Sequence, residues 1–281
     1  MENSFVNVKL VCMDLDGTLF GTNGEIPEVN IRALKECERR GIFTALVSGR
    51  GHAFMKRTAE RIGVKCALVS ANGARVEASG DGPTISEITF SKAEGTKVFS
   101  LLKTLNVNFE AYTRNANYVL NELQMPSVHR ASLMKYVASG DVEAVFDEKR
   151  ADEEAPSRAY KFVAFSDKEE ILNRVRHALD EWGIAHCSSW SNNVEIMPAD
   201  VGKGEAVRIL ASYFHVDVRD CMAFGDYTND LDMLKACGHP VAMENGVDEL
   251  KQAAEIIAPD HREGGVGQVI FKYVLKEPMI P

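Results

Sequence analysis

The chain has no excess of positive charge, no paired cysteine motif and no apolar run long enough to cross a bilayer. Lysine and arginine number 32 against 41 aspartates and glutamates, a net charge of −9. Such an acidic chain is ill suited to nucleic acid or an anionic membrane surface. Cys12, Cys37, Cys66, Cys187, Cys221 and Cys237 include no Cys-x-x-Cys pair, which argues for reduced thiols rather than a disulfide or zinc framework. The histidines show no metal-ligand spacing. No stretch approaches the roughly 20 apolar residues of a membrane span. The N-terminus lacks the charged, apolar and small-residue order of an export signal, so a cytoplasmic location is expected. Internal repeats and low-complexity tracts are also missing. What remains is 281 residues of 45% hydrophobic composition, enough for one large core or two domains.

The first 80 residues alternate strand and helix signals. Val8 to Met13, Ile42 to Val47 and Ala67 to Ser70 are short apolar runs, as expected of strands buried on both faces. Between them, residues 27–40 and 51–62 carry helical patterns with Pro27 at the first turn and Gly41 as a stop. Short connections of this kind predict a parallel sheet. The pattern changes at Glu77 to Pro83, a polar, breaker-rich linker candidate. Beyond it, residues 93–105 and 168–182 read as helices, 109–120 and 160–165 as strands, and 147–154 as a solvated loop or helix end. From about Val194 the early style returns, with helices at 202–214, 231–237 and 247–254 and strands at 221–224, 240–243 and 255–258. One α/β domain, residues 1–83 and 191–281, is therefore expected to be split by an α/β insert at 84–190.

Three of the apolar runs end in charged or hydroxyl groups. They lead into Asp14-Leu15-Asp16-Gly17-Thr18-Leu19, Ser48-Gly49-Arg50 and Gly225-Asp226-Tyr227-Thr228-Asn229-Asp230. Ligands of open α/β sheets sit outside the carboxyl ends of the strands. Four aspartates gathered there repel one another unless a cation lies among them, which predicts a metal site and phosphoryl chemistry. Asp14 and Asp16 suit one ionised nucleophile and one proton-carrying acid; a plain turn is the alternative. A calcium loop is ruled out, because the sixth position from Asp14 is Leu19 rather than glycine. Asp226 and Asp230 supply the hard oxygens that Mg2+ prefers, and helix capping by Asp230 is compatible with that. Ser48 and Gly49 form either an anion cradle at a helix start or a simple turn. Lys203 stands at a helix start between Gly202 and Gly204. A cation is unfavourable there, which points to a compensating role or else to a solvated surface lysine.

Together these ordered motifs resemble the haloacid dehalogenase-like (HAD) superfamily of phosphotransferases. Asn72-Gly73-Ala74, Glu195-Ile196-Met197-Pro198 and Gly202-Lys203-Gly204 are similar to its Cof-type branch. The resemblance implies a Rossmann-like parallel-sheet core with an α/β cap inserted between the second and third motifs. It implies Asp14 as the nucleophile that becomes an aspartyl-phosphate, and Asp16 as the acid and base. Ser48, the Gly49 backbone and Asn229 would hold the phosphoryl group, and Lys203 would offset charge. Mg2+ would be bound by Asp14, the Asp16 backbone carbonyl and Asp226, with Asp230 nearby. The expected activity is hydrolysis of a small soluble phosphomonoester, a sugar phosphate or a phosphorylated cofactor, by a monomer or small homo-oligomer without nucleic-acid or membrane partners. A phosphomutase or phosphotransferase using the same intermediate, and a non-catalytic phosphate-binding module, are the alternatives. Tyr227 departs from the smaller or amide residue usual in the Cof branch and implies a narrower pocket. The insert is expected to act as a lid, with Arg114, Arg158, Lys161 and Asn192 as its polar candidates.

Overall fold

The computed structural model describes residues 7–114, 116–139 and 143–277. Of these, the residues within Met1–Arg50, Met55–Ser86 and Gly202–Pro281 form one compact unit, and Gly51–Phe54 with Glu87–Val201 form another. In chain order the strands are β1 (Leu10–Met13), β2 (Phe43–Val47), β3 (Ala67–Ser70), β4 (Arg75–Glu77), β5 (Thr84–Glu87), β6 (Asn108–Tyr112), β7 (Asn117–Leu120), β8 (Ala144–Val145), β9 (Lys161–Phe165), β10 (His186–Cys187), β11 (Asn193–Ile196), β12 (Cys221–Gly225), β13 (His239–Met243) and β14 (Ile256–Ala258).

An eight-stranded sheet has the order β14-β13-β12-β1-β2-β3-β4-β5. From β14 to β3 neighbouring strands are parallel, and β4 returns antiparallel to β3. Strands β1, β3 and β12 are buried along their whole length, as unbroken apolar runs require. Helices Glu28–Arg39, His52–Ile62, Leu231–Ala236 and Asp248–Ala253 supply the crossovers that parallel strands need. Helix Lys203–Tyr213 packs Ala206, Val207 and Leu210 into a cluster with Leu10, Cys12, Val47 and Cys221. With β2 on one side of β1 and β12 on the other, the strand order reverses at β1. That is the switch point at which an open α/β sheet makes its crevice.

Three boundaries differ from the sequence expectation. Residues 77–83 form a hairpin turn between β4 and β5, closed by the Ala78 amide on the Pro83 carbonyl at 3.1 Å. Breaker residues serve tight turns as well as linkers, and the change of unit comes later, after Ser86. Residues 148–154 belong to a helix, Glu148–Arg158, started by the Asp147 carboxylate accepting the Arg150 amide at 3.1 Å. Residue 191 lies inside the second unit, which continues to Val201. Its strand β11 alternates buried apolar Val194 and Ile196 with polar Asn193 and Glu195, unlike the apolar-on-both-faces strands of the parallel sheet. After β14 the chain adds a helix, Gly265–Val269, that continues through Leu275 and buries Val266, Val269, Ile270 and Phe271.

The second unit contains a six-stranded sheet in the order β10-β11-β9-β6-β7-β8. One face is apolar: Phe109, Ala111, Phe162, Ala164, Val194 and Ile196 lie in a cluster with Val98, Leu102, Leu172 and Leu179 from helices Lys92–Thr104 and Glu169–Trp182. Side chains alternate across a strand, so Glu110, Lys161 and Glu195 belong to the opposite face. Lys161 is buried and ion-paired to Glu195 at 2.7 Å, whereas Arg114 and Arg158 are exposed and paired with Glu87 and Glu154. Among the described residues no helix is long and apolar enough to cross a membrane.

Candidate active site

The site is built where β1, β2 and β12 end. The turn Leu15–Leu19 follows Asp14, with the Leu19 amide returning to the Asp14 carbonyl at 3.3 Å. Gly17 makes that turn possible. Its φ of +80° is unfavourable for other residues, and a Cβ there would strike the Asp226 carboxylate. Thr18 donates its hydroxyl to Asp226 Oδ1 at 2.7 Å. The Asp14 amide donates to the Phe224 carbonyl at 3.1 Å, which ties the ends of β1 and β12 together.

Asp14, Asp226 and Asp230 present carboxylate oxygens within 4.8 Å of one another. Lys203, 1% exposed, donates to Asp14 Oδ1 and to Asp230 Oδ1, each at 2.6 Å. The second oxygen of Asp230 accepts the backbone amides of Asp226 and Tyr227 at 3.0 and 3.2 Å. Asp230 therefore ties the strand end to the lysine and does not cap the helix Leu231–Ala236 with its side chain. Burial pushes the Asp14 carboxyl well above its usual range; Lys203 opposes this, and Asp230, Asp226 and Asp16 push it further up. Burial, followed by repulsion from Asp230, pushes Asp226 up to about 6, against the hydrogen bond from Thr18. Burial draws the Lys203 ammonium down, but Asp14 and Asp230 outweigh it and hold the group above its ordinary value.

One ammonium among three carboxylates leaves the cluster short of positive charge. Oδ2 of Asp14 and Oδ2 of Asp226 receive no hydrogen bond among the described residues, whereas both oxygens of Asp230 are taken. Two unclaimed hard oxygens inside an electron-rich, largely buried cluster fit a small divalent cation such as Mg2+.

The other sequence candidates sit around this cluster. The side chain of Asp16 lies outside it: half exposed, it accepts a two-pronged bond from Arg50, Nε to Oδ2 at 2.6 Å and Nη2 to Oδ1 at 2.7 Å. Ser48 is buried at the end of β2, its amide on the Val69 carbonyl and its Oγ accepting the Arg50 amide at 3.3 Å. Gly49 follows it, partly exposed. Asn229 lies in the turn Thr228–Asp230, with no side-chain hydrogen bond among the described residues. Thr18 and Arg50 stand inside the sequence motifs without having been given a role there. Asn245, which donates to the Gly17 carbonyl at 2.8 Å, was missed altogether. Its only signal is an Asn-Gly pair two residues beyond an apolar strand.

Comparison with known proteins agrees with this geometry. The family model of haloacid dehalogenase-like hydrolases matches residues 11–270. The chain is 27% identical to the 5-amino-6-(5-phospho-D-ribitylamino)uracil phosphatase YwtE of Bacillus subtilis, over 94% of this chain and 97% of that protein. It is also 27% identical to the phosphatase YwpJ of the same organism, over 94% and 99%. Among solved structures, a haloacid dehalogenase-like hydrolase from B. subtilis superposes with a TM-score of 0.82 at 26% identity, covering 93% of this chain and 98% of that one. A haloacid dehalogenase-like hydrolase from Bacteroides thetaiotaomicron shares the fold, with a TM-score of 0.79 at 22% identity over 94% and 98%. With aspartates from the ends of β1 and β12 gathered beside one buried lysine, and a family match across nearly its full length, this chain belongs to the haloacid dehalogenase-like hydrolases.

Proposed function

We propose that the chain is a Mg2+-dependent phosphatase that hydrolyses a small soluble phosphomonoester, a sugar phosphate or a phosphorylated cofactor, through an aspartyl-phosphate intermediate. The observation that carries this reading is the charge deficit at Asp14 and Asp226, with Lys203 bound to Oδ1 of Asp14. The names of the two B. subtilis relatives, both phosphatases, support it.

Phosphoryl transfer depends on positioning and charge neutralisation. Asp14 and Asp226, with the Asp16 backbone carbonyl, would hold the ion, which when bound offsets phosphate charge and orients one phosphoryl oxygen. Lys203 fixes the Asp14 carboxylate through Oδ1, and that carboxylate would attack phosphorus. As the Asp14–phosphorus bond forms, the ester bond breaks and Asp16 gives its proton to the leaving oxygen. Asp16 then takes a proton from water as that water attacks phosphorus, releasing inorganic phosphate and regenerating the Asp14 carboxylate. Both oxygens of Asp16 accept bonds from Arg50 in this structure, so the acid step requires that fork to open. Ser48, the Gly49 backbone and Asn229 hold the remaining phosphoryl oxygens. A cytoplasmic setting, without nucleic-acid or membrane partners, completes the reading.

The test is p-nitrophenyl phosphate hydrolysis with and without Mg2+. Wild type should release phosphate only with the ion, and Asp14→Asn should lower kcat by about 10³-fold or more. Equal rates for the two proteins would remove Asp14 as nucleophile.

A further inference from the structure

The turn between Asp14 and Leu19 must stay seated against Asp226 for the proposed chemistry, and a residue outside every motif does the seating. We propose that Asn245 is a positioning residue for this turn, acting through the Gly17 carbonyl; the role rests on the phosphatase reading above. Asn245 lies two residues beyond β13. Its Nδ2 donates to the Gly17 carbonyl at 2.8 Å, and its Oδ1 accepts the His261 amide at 3.1 Å. One amide group thus bridges the catalytic turn to the loop after β14. The Gly17 carbonyl and the Thr18 amide share one rigid peptide plane. Fixing that oxygen therefore fixes the start of Thr18, whose hydroxyl bonds Asp226 Oδ1 at 2.7 Å.

The neighbours of Asn245 grip the other side of the same contact. Gly246 lies so close to Asp226 that a Cβ would sit 3.0 Å from its carbonyl oxygen. The Val247 amide donates to that oxygen at 2.9 Å. Residues 245–247 therefore hold the Gly17 peptide and the Asp226 main chain in one fixed relation. The His261 ring also meets the Phe20 carbonyl at 2.5 Å, so the loop that anchors Asn245 touches the turn a second time.

A purely structural role fits another residue better. Asn30, fully buried, donates to the Leu19 carbonyl at 3.0 Å and accepts the Gly267 amide at 2.7 Å. Removing it strands buried polar groups, which is costly. Asn245 is exposed, and water can take over its hydrogen bonds when it is replaced. What water cannot do is hold the Gly17 peptide at one angle.

Asn245→Ala and Asn245→Asp separate the two bonds. The aspartate keeps an acceptor for the His261 amide but offers the Gly17 carbonyl no proton. Both variants should melt within about 2 °C of wild type. With p-nitrophenyl phosphate and saturating Mg2+, kcat should fall about tenfold or more while KM stays within about twofold. The dissociation constant for Mn2+, followed by its electron paramagnetic resonance signal, should rise several-fold in both. If Asn245→Asp matches wild type in kcat and in Mn2+ affinity, the His261 bond alone matters and the positioning role is overturned. Unchanged values in both variants overturn it equally. A wild type that binds Mn2+ yet releases no phosphate defeats the phosphatase reading instead, and weaker Mn2+ binding by both variants still upholds the seating of the turn.

Discussion

Two buried carboxylate sites, one in each unit, hold their charge in opposite ways. In the second, Glu195 has Lys161 at 2.7 Å and the Ser189 hydroxyl at 2.5 Å. Glu110 likewise has His129 at 2.6 Å and the Asn117 amide at 3.2 Å. Each of these buried carboxylates has its own nitrogen partner and a second hydrogen bond. In the first unit, Asp14 and Asp230 share one lysine, and Asp226 beside them has only the Thr18 hydroxyl on its side chain among the described residues. A buried ion pair is tolerable when its remaining lone pairs are satisfied; a cluster of like charges short of a counter-charge is not, unless something arrives to supply it. The second arrangement is complete as it stands, and the first is poised for a ligand.

The largest effects should come from removing the lysines. Lys203→Met leaves Asp14 and Asp230 buried without their cation, at a cost of roughly 3–5 kcal/mol. Lys161→Met leaves Glu195 in the same position and should cost a similar amount. Mg2+ should tell them apart, because on the proposed reading it binds the folded first unit and would stabilise it by mass action. Calorimetry should show Mg2+ restoring part of the loss in Lys203→Met and none in Lys161→Met. Both tryptophans, Trp182 and Trp190, lie in the second unit, so their emission reports that unit separately. Rescue of both variants, or of neither, would erase the contrast.

The opposite sign is expected for Asp226→Asn. Its carboxyl is pushed up to about 6 by burial first and by Asp230 next. A carboxyl that binds its proton more tightly folded than unfolded destabilises the fold wherever it is ionised. The penalty is complete above about 6, shrinks as pH falls towards the ordinary 3.8, and is absent below that. Asp226→Asn should thus stabilise the metal-free protein at pH 8 by on the order of 2 kcal/mol, while removing the Mg2+-induced rise in melting temperature. Metal-free wild type should accordingly gain melting temperature between pH 8 and pH 5 relative to Asp226→Asn. With saturating Mg2+ that pH-dependent gain should vanish. A variant less stable than wild type without metal would mean that the cluster carries no strain.

Much of this contrast was legible in the sequence, but only on one side. Asp14 and Asp226 follow apolar runs that read as buried strands, Asp230 stands four residues further on, and strand ends converge in a parallel sheet. Lys203 stood out because a cation at a helix start needs a reason, and its 1% exposure supplies one. The Arg50 fork on Asp16 was hidden, since only the pairing of β1 with β2 brings residues 34 apart together. Asn245 looked like any Asn-Gly turn. The second unit was harder to read because its strands carry charge on a buried face. Lys161 and Glu195 on β9 and β11 suggest solvent exposure until the sheet pairs them, and the sequence pattern accordingly groups β11 with the strands of the first unit, whereas it lies in the second. The helix Ser127–Ser139 mixes hydroxyl, charged and apolar residues without the stripe that marks a helix in sequence.

The smallest effect should come from replacing both members of the complete pair. Lys161→Met with Glu195→Leu removes two buried charges together and releases the Ser189 hydroxyl, which stands partly exposed and still accepts from Asn193. Buried pairs exchanged for apolar residues of similar volume are often neutral or stabilising. The double variant should therefore lie within about 1 kcal/mol of wild type, far above Lys161→Met alone, and the coupling between the two positions should account for most of the single-variant loss. No equivalent repair exists in the first unit. Lys203→Met with Asp230→Leu still leaves Asp14 beside Asp226, and it strips the Asp226 and Tyr227 amides of their acceptor. If urea unfolding showed that double variant recovering as fully as the Lys161 and Glu195 one, the charge deficit would belong to Asp230 alone rather than to Asp14 and Asp226 together.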